Sequence, residues 1–177
     1  MTLKKFTKAL LRFILKPLSF IPALLMMYTI FSFSAQDGTT SANLSYKVSY
    51  KAVSIADRAL DLELTDKQVS RCIQKIHFYV RKIAHFTEYF LLAVTMAFPL
   101  YVYGIRGIWL VISGGILCVG FAALDELHQY FVSGRSCSVR DVIIDSCGAL
   151  TGILIVRIFG YIGRKTIFKP LSRTHRS

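Results

Sequence analysis

The sequence predicts an all-α integral membrane protein, a bundle of four transmembrane helices with both termini cytoplasmic and an amphipathic helical segment outside. Its 177 residues are 54% hydrophobic and only 18% charged, with a mean hydropathy of +0.50, too apolar for an ordinary soluble domain. Uncharged runs occupy 17–36 (20 residues), 89–105 (17) and 107–124 (18), each near the ~20 apolar residues that cross a ~30 Å hydrocarbon core. The third observation is the placement of the basic residues that make up a net charge of +12.

The elements follow in order. Residues 1–16 form a basic cytoplasmic segment with Lys4, Lys5, Lys8, Arg12 and Lys16. Span one covers about 17–36. Its basic start, apolar run and small residues before Ala35 also resemble a signal peptide, but the run is long and Ser34 and Gln36 belong to the polar set described below. An outer segment, 37–80, comes next. Residues 35–64 read as a connection, with a turn at Thr39 to Ser41 after Asp37-Gly38. From Ser49 to Leu64 helical spacing of Ala52, Val53, Ala56, Ala59, Leu60 and Leu64 predicts a short amphipathic helix on the membrane surface. Thr65 with Gln68 has the form of a capping box and marks a new helix start. The apolar face Val69, Cys72, Ile73, Ile76, Val80, Ile83 then leads without a break into span two, about 83–105. Span three covers 107–124. Span four, 142–163, carries Asp145 and Arg157 near its ends and is supported by Gly148-x-x-x-Gly152, since small residues four apart let helices approach closely in lipid. A basic tail, 164–177, ends the chain.

Orientation comes from the charges. The segment before span one, Arg106 between spans two and three, and the residues from Arg157 onward hold 12 basic and no acidic residues. The other side holds 10 of each. The positive-inside rule therefore puts both termini in the cytoplasm of a bacterial plasma-membrane protein, and residues 34–80 and 125–141 outside. With the positive charge serving orientation, and the nine Tyr and thirteen Phe lying mostly in or beside the spans, nucleic acid is not an expected partner. Membrane lipids are.

Cys72, Cys118, Cys137 and Cys147 show no C-x-x-C spacing, so no zinc ribbon is expected. Cys72 and Cys137 could pair on the outer side, but two cysteines make no disulfide framework. There is no phosphate-cradling glycine loop and no H-E-x-x-H.

Polar residues gather at the outer ends of the spans. Arg81, His85 and Glu88 or Tyr89 share one helical face at the start of span two, beside Lys82. At the end of span three Asp125, His128 and Gln129 share a face, with Glu126 expected to point elsewhere. Arg135, Arg140, Asp141 and, one turn on, Asp145 follow. Ionisable groups in spans cost ~2.5–3.5 kcal/mol each, so they should face the bundle interior and pair. Any one pair could simply lock helices together. The whole set, with two histidines, a tyrosine and a glutamine at one depth, suggests a polar cavity opening outward. Three chemistries fit it. His85, Glu88, Asp125 and His128 could hold a divalent metal, though His-x-x-Glu is common by chance. His85 or His128, oriented by a carboxylate, could act as acid or base on a lipid head group. Arg81, Lys82, Arg135 and Arg140 could grip a phosphate or carboxylate.

These motifs resemble the VanZ-like family of bacterial membrane proteins. The matching residues are Ser32-x-Ser34-x-Gln36, Arg81-Lys82-x-x-His85-Phe86-x-Glu88-Tyr89, Asp125-Glu126-x-His128-Gln129-x-Phe131 with Arg135, and Ser138-x-x-Asp141-Val142-x-x-Asp145-x-x-Gly148-x-x-x-Gly152. They cover about two-thirds of the chain, and Asp145 stands where the family more often has Asn. The resemblance implies a multi-span membrane domain over 17–163. The family's founding member is associated with low-level teicoplanin resistance, but no settled biochemical activity carries over.

The leading expectation is a cell-envelope protein that binds an anionic envelope lipid or glycan precursor. Gln36, Arg81, Lys82, Tyr89, Gln129, Arg135, Arg140, Asp141 and Asp145 would hold the ligand. The alternative is a membrane-embedded hydrolase or transferase using His85, Glu88, Asp125 and His128; an oligomeric transporter comes third.

Overall fold

The computed structural model describes residues 13–166, with side-chain burial for 13–162. Lys4, Lys5, Lys8 and Arg12 at one terminus and Lys169, Arg173 and Arg176 at the other lie outside the described residues. The described chain is helical, with α1 (Ile21–Ser34), α2 (Gly38–Leu60), α3 (Asp66–Val102), α4 (Ile108–Tyr130) and α5 (Val139–Thr166). Among the described residues, four stretches are long and apolar enough to cross a membrane: Phe13–Ser34, Asp66–Val102, Ile108–Tyr130 and Val139–Ile162. The four expected spans are thus all helical.

A helical segment at 13–18 precedes α1, and the break between them has a local cause. Pro22, near the start of α1, has no N–H to continue the ladder. Ser19 and Phe20 instead donate their backbone N–H groups back to the Lys16 and Pro17 carbonyls at 3.2 and 3.1 Å.

The connection after span one differs from expectation. The helix starts at Gly38, not near Ser49, because Asp37 caps it: its carboxylate accepts the Thr40 N–H and the Thr39 hydroxyl, both at 2.7 Å. The Asp-Gly-Thr-Thr run that reads as a turn is therefore a helix start. These bonds, the Thr40 backbone one first, hold the exposed Asp37 carboxyl below its ordinary pKa. α2 ends at Leu60, before the expected Leu64, where Asp61 takes a left-handed conformation (φ 49°). Asp57 braces this exit by accepting the Leu62 N–H on its carbonyl and the Leu64 N–H on its carboxylate, both at 3.1 Å.

The expected start at Thr65 is present: the Gln68 side chain accepts the Thr65 N–H at 2.8 Å. From there α3 runs unbroken for 37 residues, about 55 Å at 1.5 Å per residue. That exceeds a ~30 Å hydrocarbon core, so the first turns of α3 project past the bundle together with α2. α3 is also the central helix, touching all four others and carrying the most buried apolar stretch of the four spans.

The core around α3 uses small side chains. Ala93 and Ala97 of α3 meet Ala23 of α1, Ala122 of α4 and Ala149 of α5, with Ile30, Leu92 and Ile153 filling between them. Approach is closest where Gly148 and Gly152 of α5 face α3. A Cβ added at Gly148 would stand 2.3 Å from the Phe86 carbonyl oxygen, and one at Gly152 2.6 Å from that of Phe90. The glycine pair therefore fixes how near α5 comes to the polar first half of α3. The outer surfaces of the spans expose Leu25, Ile116, Trp109 and Phe159, as a lipid-facing bundle requires.

Candidate functional site

The ends of α1 and α4, the middle of α3 and the start of α5 converge, and there the polar residues collect. Two networks result. In the first, the Ser34 hydroxyl donates to Asp125 Oδ2 at 2.7 Å, and Gln129 Nε2 donates to the same oxygen at 3.0 Å. Arg135, from the α4–α5 loop, donates to Gln129 Oε1 at 3.0 Å and to the backbone carbonyls of Gln36 and Phe33 at 2.8 Å each. Those carbonyls lie at the end of α1, where helix geometry leaves carbonyls short of intrahelical partners; that of Phe33 also accepts the Gln36 N–H at 3.3 Å. Arg135 is thus a clasp between α1 and α4 rather than a free anion clamp. Burial, then the nearby Arg81 charge, lowers its pKa, but a guanidinium remains charged at physiological pH.

The second network joins α3, α4 and α5. Lys82 pairs with Asp141, and His85 Nδ1 stands 3.5 Å from Asp145 Oδ1. That is an ion-pair distance without hydrogen-bond alignment, since both atoms lack a hydrogen-bond partner. Glu126 Oε2 accepts the backbone N–H of Ser138 at 2.8 Å, bracing the start of α5.

Glu126 is the main correction. It was expected to point away, yet it is 1% exposed and faces α5. At this end α4 lies between α1 and α5, so neighbouring residues about 100° apart on the helix both point inward: Asp125 engages α1 and Glu126 engages α5. The adjacent Asp-Glu pair was the available signal. His128 moves the other way. Its ring stacks on Phe31 of α1 at 4.4 Å, away from His85. The expected metal set of His85, Glu88, Asp125 and His128 is not drawn together; among the described residues, the group whose ligand atoms lie within 4.8 Å of one another is His85, Glu126 and Asp145. Gln36 takes part through its backbone carbonyl, a role no side-chain motif encodes. Arg81 and Glu88 are half-buried at the rim, and Arg140 is exposed.

The centre is closed: Asp145 and Tyr89 are fully buried, and Asp125, Glu126 and Gln129 nearly so. Yet seven buried polar atoms here have no hydrogen-bond partner: His85 Nδ1, Tyr89 Oη, Asp125 Oδ1, Glu126 Oε1, His128 Nε2 and both carboxylate oxygens of Asp145. Unpaired buried polar groups are costly anywhere, and more so in a membrane. A different cavity, of about 870 Å³, lies at the opposite end between α3 and α5, lined by apolar residues such as Phe90, Phe98 and Phe159 with Arg157. It contains none of this chemistry.

The sequence model of the VanZ/LLP1 family matches residues 19–160. The chain belongs to the VanZ/LLP1 family. The match reaches into all four spans and covers both polar networks, so the paired networks belong to the VanZ/LLP1 region itself. Searches of curated proteins and of solved structures returned no match.

Proposed function

We propose that this VanZ/LLP1 protein binds the head group of an anionic envelope lipid or glycan precursor at the polar end of its bundle, on the outer face of a bacterial plasma membrane. The observation that carries this reading is the set of seven buried, unpartnered polar atoms. Four of them are carboxylate oxygens, which only accept from a donor, so a ligand that fits them brings hydroxyls, amines or a cation. A sugar or glycerol head group brings hydroxyls. Its phosphate suits Arg81 and Arg140 at the rim, neither of which has a hydrogen-bond or ion-pair partner.

The test uses full-length protein in detergent with two short-chain probes that share a phosphate, dihexanoyl-phosphatidylglycerol and dihexanoyl-phosphatidylcholine. The glycerol head group should bind and the choline head group should not. Tyr89→Phe, which removes one unpartnered hydroxyl without changing volume, should weaken glycerol-lipid binding by about tenfold, the worth of one buried hydrogen bond of ~1.4 kcal/mol. Equal binding of both probes, or an unchanged Tyr89→Phe, would refute head-group selection here. Teicoplanin susceptibility of cells with and without the protein is the cellular readout of an effect on envelope precursors.

A membrane-embedded hydrolase or transferase is the second reading, supported by the His85–Asp145 approach of 3.5 Å, a base beside an orienting carboxylate. Turnover of the glycerol lipid, followed by mass spectrometry and lost in Asp145→Asn, would favour it over binding.

A further inference from the structure

The geometry points to a divalent metal ion, of the zinc or manganese class, held by His85 of α3, Glu126 of α4 and Asp145 of α5. This goes beyond head-group binding and does not rest on it. A ring nitrogen of His85, one carboxylate oxygen of Glu126 and one of Asp145 all lie within 4.8 Å of one another, and His85 Nδ1 stands 3.5 Å from Asp145 Oδ1. Metal–nitrogen and metal–oxygen bonds of ~2.0–2.2 Å at tetrahedral angles place ligand atoms about 3.3–3.6 Å apart, so the three side chains must close in by up to roughly 1.5 Å around an ion, a shift within reach of rotamer adjustment. All three residues are at least nine-tenths buried, His85 at 7% exposure, Glu126 at 1% and Asp145 at 0%.

Their partners elsewhere are few. Glu126 spends Oε2 on the Ser138 N–H, which orients it as an outer hydrogen bond orients a metal-ligating carboxylate, and leaves Oε1 free. Asp145 has no hydrogen bond on either oxygen. Lys82 is engaged by Asp141, and Arg135 by Gln129 and two carbonyls; the unpartnered Arg81 at the rim makes no ion pair with Glu126 or Asp145. A proton shared by His85 and Asp145 would match Nδ1 and one oxygen, but would leave Asp145's other oxygen and Glu126 Oε1 unmatched. Water can donate to those oxygens, yet it brings no charge to two carboxylates in a low-dielectric interior. A dication does both. One imidazole with two carboxylates is a donor set of intermediate softness, which suits zinc or manganese better than a copper(I) or calcium site. Three protein ligands leave a fourth position for a water or a ligand oxygen.

The proposal is tested on the full-length protein in detergent after treatment with a chelator. Zinc and manganese are titrated separately by calorimetry, and bound metal is counted by elemental analysis after desalting. One equivalent per chain is expected, with a rise in Tm that a chelator reverses. Glu126→Gln and Asp145→Asn should each lower affinity at least 100-fold, while Glu63→Gln, at a surface position away from the cluster, should leave it unchanged. Should either cluster variant fail to fold, the wild type is read by itself: the cobalt-substituted protein should show the ligand-field bands of a low-coordinate nitrogen/oxygen site with a chelator-reversible Tm shift, and bands of six-coordinate aqueous cobalt with no Tm shift overturn the proposal. No binding of either metal to wild type at 1:1 and micromolar concentration, or binding unaltered in a folded Asp145→Asn, overturns the proposal.

Discussion

Gly148→Ala tests the idea that the α3–α5 approach builds the site. An added Cβ would meet the Phe86 carbonyl oxygen at 2.3 Å, whereas a carbon–oxygen contact normally settles at roughly 3.3–3.6 Å. α5 must therefore back away from α3 by about 1 Å, because a backbone carbonyl in a continuous helix cannot swing aside. Overpacking of this kind costs ~1–3 kcal/mol, which for a chain of this length lowers Tm by about 2–12 °C. The shift also opens the His85–Asp145 gap of 3.5 Å by a large fraction of itself, and a site 1 Å too loose loses most of its function. Gly148→Ala should thus lose both stability and metal affinity. Gly160→Ala is the control, as a Cβ there meets nothing within 4 Å. Thermal unfolding in detergent and metal titration of both variants provide the assay. A Gly148→Ala protein with unchanged Tm and unchanged affinity would refute the packing argument.

Three further outcomes are expected. Arg135→Lys keeps the charge but loses the fork, so at least one of the bonds to Gln129, Gln36 and Phe33 is lost; the cost is about 1.5–3 kcal/mol, read as a lower Tm. Cys137 is exposed at the polar end, so a membrane-impermeant maleimide should label it in intact cells of a strain expressing a chain with Cys137 as its sole cysteine, and labelling only after permeabilisation would reverse the inferred orientation. The Asp37 carboxyl has a lowered pKa, so its cap contributes to α2 above the ordinary value of 3.8 and is lost as pH falls through the lower folded value. Circular dichroism should show helix loss over that acid range in wild type, and none of that transition in Asp37→Asn.

The spans were legible in the sequence because crossing a membrane demands long charge-free runs, and positions 89–105 and 107–124 leave no other reading. The Thr65–Gln68 helix start was legible for a local reason as well, since capping depends on residues three apart. Less visible were features that depend on neighbours distant in sequence. Face-sharing along α4 correctly grouped Asp125 with Gln129, but it assumed one inward face; two flanking helices at the polar end create two, and Glu126 occupies the second. Spacing puts His128 on the face of Asp125 and Gln129 and depth puts it level with His85, but neither says which neighbouring helix a ring meets. The start of α2 was missed because Asp-Gly favours turns and caps alike.

The Arg135 clasp also sets an order of assembly. Its guanidinium reaches back 102 residues to the Phe33 carbonyl and 99 to that of Gln36. At ~5–20 residues per second of synthesis, those carbonyls at the end of the first span wait about 5–20 s before their partner exists. During that interval the newly inserted span holds an unfinished polar end in the membrane, and the last loop to be translated, between α4 and α5, closes it. The first and third spans are therefore clasped from the loop that follows them, and a chain truncated before Arg135 would keep three inserted helices with the Ser34–Asp125 bond at that end but without the clasp.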